Sequence, residues 1–156
     1  MRKTLNLILI VSAVACLAGG CMTRGKLAMP ENFVELDEHR RGDYEVRGIS
    51  ADGVVIGLRR HDNLKNGSLP FWQDALRNEL STRGYRPAGE TEEITSTGGA
   101  TGKLMTFKTT SRGTEFLYIL AMYVQPTHVT TIEAGGKADI VRKHLDELKQ
   151  SMRSIR

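Results

Sequence analysis

The sequence predicts an α+β domain, an antiparallel β-sheet flanked by helices, and three observations predict it. An Asp52-Gly53 pair stands between two β-branched runs. One apolar stripe at helical spacing runs from Leu69 to Leu80, and a second closes the chain. Between the stripes the apolar period drops to two, the pattern of half-buried strands joined by short turns.

The elements follow in order. Residues 44–49 alternate, with Tyr44, Val46 and Gly48 against Glu45, Arg47 and Ile49. Ser50-Ala51-Asp52-Gly53 turns the chain into Val54-Val55-Ile56-Gly57-Leu58. Asp-Gly in such a place signals a hairpin, because glycine accepts the positive φ of a tight turn. Before this hairpin, residues 36–43 are strongly charged and predict a solvated loop or strand edge. Residues 62–68 are a loop by composition. Ser68 then caps a helix over residues 69–83, with Pro70 in the first turn, where its missing N–H costs nothing. Leu69, Trp72, Leu76 and Leu80 form its stripe, and Gly84 ends it. Phe71 and Trp72 are expected in the core, with Trp72 half exposed.

From Tyr85 onward a meander of three or four strands is expected. Residues 90–97 form a polar strand and Gly98-Gly99-Ala100 a turn. Residues 103–110 form the next strand, and Ser111-Arg112-Gly113 turns into the most apolar one, residues 114–124. There Phe116, Tyr118, Leu120, Met122 and Val124 line one face, and Leu117, Ile119, Ala121 and Tyr123 the other. Apolar residues on both faces predict a central strand covered on both sides. Gln125-Pro126 turns into a strand over residues 128–134, and Gly135-Gly136 opens a single helix over residues 137–153 with Val141, Leu145, Leu148, Met152 and Ile155 as its stripe.

The first residues read as an address. Met1-Arg2-Lys3 is positive, residues 5–17 are mostly apolar, and small residues Ala18-Gly19-Gly20 precede Cys21. That is the layout of a secretory signal peptide, and its apolar run is shorter than the ~20 residues of a permanent membrane helix. Leu17-Ala18-Gly19-Gly20-Cys21 resembles the lipobox of bacterial lipoproteins, with Ala18 where a large aliphatic residue is usual. The resemblance implies that Cys21 becomes the first mature residue and carries acyl chains that hold the protein on a membrane. Met22 is not the Asp that retains enteric lipoproteins in the inner membrane, so by analogy the outer membrane, facing the periplasm, is expected. Two alternatives stay open: cleavage after Ala13-Val14-Ala15, or acylation of Cys16. The expected organisation is a signal over 1–20, a tether over 21–29 and one domain over 30–156.

Charge and composition remove several classes of function. The 156 residues hold 22 Lys and Arg against 18 Asp and Glu. Removing Arg2 and Lys3 with the signal leaves a net of +2, an ordinary balance for solubility that predicts no nucleic-acid partner. No cysteine follows Cys21, so the domain has no disulfide, thiol nucleophile or thiolate metal site. Residues 98–103 imitate a phosphate loop, but Thr97 stands where its first glycine belongs and Leu104 where Mg²⁺ needs a hydroxyl. His39, His61, His128 and His144 lack metal-ligand spacing, and solvated or capping roles are expected of them. Glu90, Glu92 and Glu93 read as a solvated edge. Arg40-Arg41 and Arg59-Arg60 read as charged rims diluted by acidic neighbours. No G-x-S-x-G elbow is present. No catalytic residue, metal or cofactor is therefore expected.

Val54-Val55-Ile56 after Asp52-Gly53, Phe71-Trp72 opening a helix, Arg83-Gly84-Tyr85 closing it, the glycine-turn strand pair and Glu133-Ala134-Gly135-Gly136 before a terminal helix together carry a resemblance. From Pro30 to Arg156 the layout is similar to the PsbP/Mog/DcrB-like α/β/α sandwich superfamily. Known members are non-enzymatic: a photosystem extrinsic subunit, a Ran-binding transport factor and bacterial envelope lipoproteins. The resemblance implies a non-catalytic binding or assembly-support module with an envelope protein as partner. The competing expectation is a periplasmic small-ligand binder or cryptic hydrolase, using a cleft between the first helix and the sheet with Arg59, His61 and Glu133 as its polar groups. Arg59 and His61, two residues apart, share one face of a strand.

Overall fold

A computed structural model describes residues 27–36 and 43–156. Two expectations lie outside those residues: the signal with Cys16 and Cys21, and most of the charged stretch before the hairpin, with His39 and Arg40-Arg41. The described chain runs β1 (Phe33–Glu35), β2 (Tyr44–Ser50), β3 (Val55–Asp62), α1 (Leu69–Thr82), β4 (Arg86–Pro87), β5 (Glu92–Thr95), β6 (Thr101–Ser111), β7 (Thr114–Val124), β8 (His128–Lys137), α2 (Ala138–Lys143) and α3 (Leu145–Arg153). All eight strands form one antiparallel sheet in the order β1-β2-β3-β8-β7-β6-β4, with β5 also paired to β6. The α+β class read from the sequence is the one observed.

Local chemistry explains most boundaries. The Ser68 hydroxyl accepts the Phe71 N–H at 3.4 Å and caps α1, and Gly84, at φ +81°, ends it. The β6–β7 turn places Arg112 and Gly113 at φ +49° and +79°, a tight hairpin that sets register from Ser111↔Thr114 to Gly102↔Tyr123. Strand β7 does what its two apolar faces predicted. Leu117, Ile119, Ala121 and Tyr123 enter the larger core, which α2 and α3 cover with Val141, Leu148 and Met152. Leu120 and Met122 enter a second core on the opposite face, beneath Leu69, Trp72, Leu76 and Leu80 of α1. Inside the larger core the Tyr123 hydroxyl donates to the Met152 carbonyl at 3.0 Å, and burial pushes its pKa up to about 12.

Four expectations are corrected. Gly135-Gly136 does not turn the chain; both lie in β8, paired with Tyr118 and Leu117. The last helix is two, broken at His144 (φ −96°, ψ +3°), whose N–H bonds the Val141 carbonyl. Phe71 is 59% exposed, because α1 turns Trp72 and Leu76 toward the sheet and leaves Phe71 outward. The end of the expected tether is also packed. Leu27 is buried, Met29 packs on the larger core, and Ala28 donates to Ser154 Oγ and accepts from Ser151 Oγ.

Candidate functional site

Strand alternation decides which groups can meet. Ile56, Leu58, Ile132 and Ala134 point into the larger core, so Arg59 on β3 and Glu133 on β8 point to the other face, beside α1. There Arg59 Nε meets Glu133 Oε1 at 2.7 Å, and the guanidinium lies 3.9 Å over the Tyr44 ring. The Tyr118 hydroxyl bonds the other Glu133 oxygen. Gly57 makes room for this stack, since a Cβ there would lie 2.5 Å from the Tyr44 ring. Burial, first among the causes, holds the Tyr44 phenol above its usual pKa.

Two of the three residues expected around a ligand are thus brought together, and their charges are spent on each other. His61 is exposed and pairs in register with Val129, and no hydrogen bond or ion pair joins it to Arg59 or Glu133 among the described residues. The third residue fails to converge because β3 carries it past the Glu133 position, toward the Asp62 end. Tyr44 and Tyr118, which complete the cluster, were not singled out by the sequence; only the pairing of β2, β3, β8 and β7 reveals them.

The opposite face holds a cleft of about 510 Å³ between α2–α3 and β5–β7. Leu117, Ile119, Val141 and Leu145 give it an apolar floor, and Lys108, Arg142 and Lys149 stand at its rim. The cations have carboxylate partners. Arg142 bonds Glu115 at 2.8 Å, with Lys108 4.0 Å from the same residue, and Lys149 bonds Glu92 at 2.8 Å. Pairs this exposed are each worth only ~0–1 kcal/mol, so a ligand carboxylate or phosphate can displace them. The lining contains no histidine, serine or cysteine. Its chemistry suits an apolar segment flanked by acidic groups. Glu92, read as part of a solvated edge, belongs to this rim, while Glu93 pairs with Lys103 at 3.5 Å.

His144 is the other ionisable group with a defined setting. Its side chain is 13% exposed, Nε2 lies 3.0 Å from Asp52 Oδ2, Nδ1 lies 3.6 Å from Glu147, and the ring meets Phe33 edge-on at 5.5 Å. The Asp52 hydrogen bond chiefly holds the imidazole pKa above its ordinary value. Ser50, and then His144, hold the Asp52 carboxyl below its own. A raised histidine stabilises fully below its unfolded pKa of about 6.5 and loses that contribution as pH rises through the folded value. The depressed Asp52 contributes above its unfolded pKa and loses that contribution as pH falls through its folded value. As pH rises from about 6.5 through the raised folded value, wild type is therefore expected to lose urea resistance that His144→Gln does not lose. Parallel pH profiles of the two midpoints would remove the imidazolium from this account.

Among the described residues no group of three or more His, Cys, Asp or Glu gathers to hold a metal ion. No helix among them is long and apolar enough to cross a membrane.

One antiparallel sheet with α1 on one face and α2–α3 on the other makes this a PsbP-like α+β sandwich. Solved structures agree. LpqN of Mycobacterium tuberculosis, described as involved in cell envelope biogenesis, superposes with a TM-score of 0.66 at 17% identity, over 84% of this chain and 82% of that one. Cyanobacterial PsbP from Synechocystis gives 0.54 at 10% identity, over 82% and 83%. No family model and no curated protein sequence matches.

Proposed function

We propose that this chain is a lipid-anchored envelope protein whose domain is a non-catalytic binding or assembly-support module. The single observation that carries the reading is the Cys21 signal ending, followed after only five residues by a packed Leu27. A body held that close to an acyl anchor works at a bilayer surface. Met22 after the cysteine favours the outer membrane, facing the periplasm. The cleft beneath α2–α3 receives the partner: its floor takes an apolar segment, and Lys108, Arg142 and Lys149 exchange their own carboxylates for those of the partner. The Arg59–Glu133 face is left in a supporting role, because Glu133 is 13% exposed and held by both Arg59 and the Tyr118 hydroxyl, whereas the carboxylates of the cleft pairs are 40% exposed or more. The likeness to an envelope-biogenesis protein supports this reading through the shared fold.

Mass spectrometry of the mature protein tests it. The expected product begins at Cys21 with acyl chains on its amine and sulfur. An unmodified amino terminus on a freely diffusing protein would falsify the anchored reading.

A further inference from the structure

We infer that the end of the sheet carrying Leu64 and Phe71 is a membrane-contacting surface, which seats the body directly on the bilayer holding its anchor. The inference rests on the anchored reading of Cys21 and adds an orientation to it.

Leu64 and Phe71 are 87% and 59% exposed, on either side of a closely hydrogen-bonded loop. Asn63, only 3% exposed, is the knot. Its Nδ2 donates to the Gly67 and Gln125 carbonyls at 3.0 and 2.9 Å, and its Oδ1 accepts from the Gly67 N–H and Trp72 Nε1 at 2.7 and 3.1 Å. Every hydrogen-bonding site of that amide is engaged by protein. Phe71 meets Trp72 edge-on at 5.6 Å. Leu64 in this loop and Phe71 in the first turn of α1 both face outward beside that knot.

The same end of the molecule is where the described chain begins, at Leu27 and Ala28. Asn63 joins the β3–α1 loop to the β7–β8 turn through the Thr127 and Gln125 carbonyls. The β5–β6 turn lies at that end too, since β6 starts opposite the end of β7, and its Thr97 and Gly98 N–H groups bond the Arg153 and Ile155 carbonyls. Ser151 in the last turn of α3 and Ser154 just after it bond Ala28. From Cys21 to Leu27 the chain can span at most roughly 20 Å. The exposed cations here are Lys65, Arg153 and Arg156, against Asp62 on β3 and Asp74 one turn into α1. Anchoring makes the contact intramolecular, so two apolar side chains suffice where a free protein would need a larger patch.

Trp72, the only tryptophan, sits beside Phe71 and reports the contact without a label. The full-length acylated protein is reconstituted into vesicles of phosphatidylethanolamine with a minor fraction of phosphatidylglycerol, carrying brominated acyl chains. Quenching of Trp72 is compared with that in unbrominated vesicles. Wild type is expected to be quenched, and Leu64→Ser/Phe71→Ser to remain vesicle-bound with quenching reduced roughly threefold or more. Both substitutions fall at exposed positions, and unchanged far-ultraviolet dichroism verifies the fold. Vesicle-bound wild type with unquenched Trp72 overturns the inference and leaves the anchor standing. Concentration-dependent Trp72 emission in that sample would assign the surface to a second copy. Equal quenching of the double variant overturns the inference too, whereas wild type recovered free of vesicles overturns the anchored reading and this inference with it.

Discussion

Leu148→Ala is expected to lower the stability of the domain by ~2–5 kcal/mol. Leu148 is fully buried in the larger core, where α3 lies over the sheet with Val141 of α2 and Met152 nearby. Truncation removes apolar contact from both sides and leaves a void that a close-packed sheet cannot collapse to fill. The helix has little of its own to fall back on. It spans nine residues, Leu145–Arg153, shorter than the ~12–15 an isolated helix needs to be even marginal in water. Packing holds α3 in place, and α3 in turn holds Ala28 and one wall of the cleft. Urea denaturation measures the effect, with Leu64→Ala as the control, expected to stay within about 0.5 kcal/mol because its side chain is exposed. A Leu148→Ala midpoint equal to that control would mean that α3 does not cover the sheet.

The same core shows how far the sequence was legible. Strand β7 announced itself because both of its faces are apolar, and the structure assigns one face to each core. The Ser68 cap, the Gly84 stop and the Asp52-Gly53 hairpin were readable because each is local chemistry within a few residues. The joining of the hairpin to the meander was not. It depends on β3 pairing with β8, Val55 opposite Gly135, eighty positions along the chain, and no local signal encodes such a partner. Gly135-Gly136 misled for a related reason. In sequence the pair looks like a break, but Gly136 is packed tightly, with Gly53 and Val54 of the hairpin and Val141 of α2 crowding the place of its absent Cβ. The stripe from Val141 to Ile155 hid the break at His144, since α3 resumes on nearly the same face. His144 itself gave no spacing signal, because Asp52 in the β2–β3 turn and Phe33 on β1 reach it from far along the chain.

The candidate site followed the same division. Arg59 and Glu133 could be named from residue type and face, but their mutual neutralisation appears only once β3 and β8 are in register. The cleft residues come from Ala88 just after β4 and from β5, β6, β7, α2 and α3, and they share no motif that a single sequence displays. Packing across the chain made that site.

Cys21→Ser is expected to move the protein from an almost wholly membrane-bound fraction to a mostly soluble one. The hydroxyl replaces the sulfur to which the resemblance assigns an acyl chain, and each CH₂ withdrawn from the bilayer forfeits ~0.8 kcal/mol. The contact proposed for Leu64 and Phe71 cannot compensate: one acyl chain alone binds reversibly at ~10⁴ M⁻¹, and two exposed side chains offer less apolar surface than that. The folded body is expected to be unaffected, because no cysteine follows Cys21 and none can be lost from the core. Soluble Cys21→Ser should therefore unfold at the same urea concentration as detergent-extracted wild type. Cys16→Ser separates the two candidate thiols: it is expected to stay with the membrane through an alkaline carbonate wash. The reverse pattern, Cys21→Ser retained and Cys16→Ser released, would transfer the anchor to Cys16 and lengthen the segment before Leu27 by five residues, loosening the limit that brings the body against the bilayer.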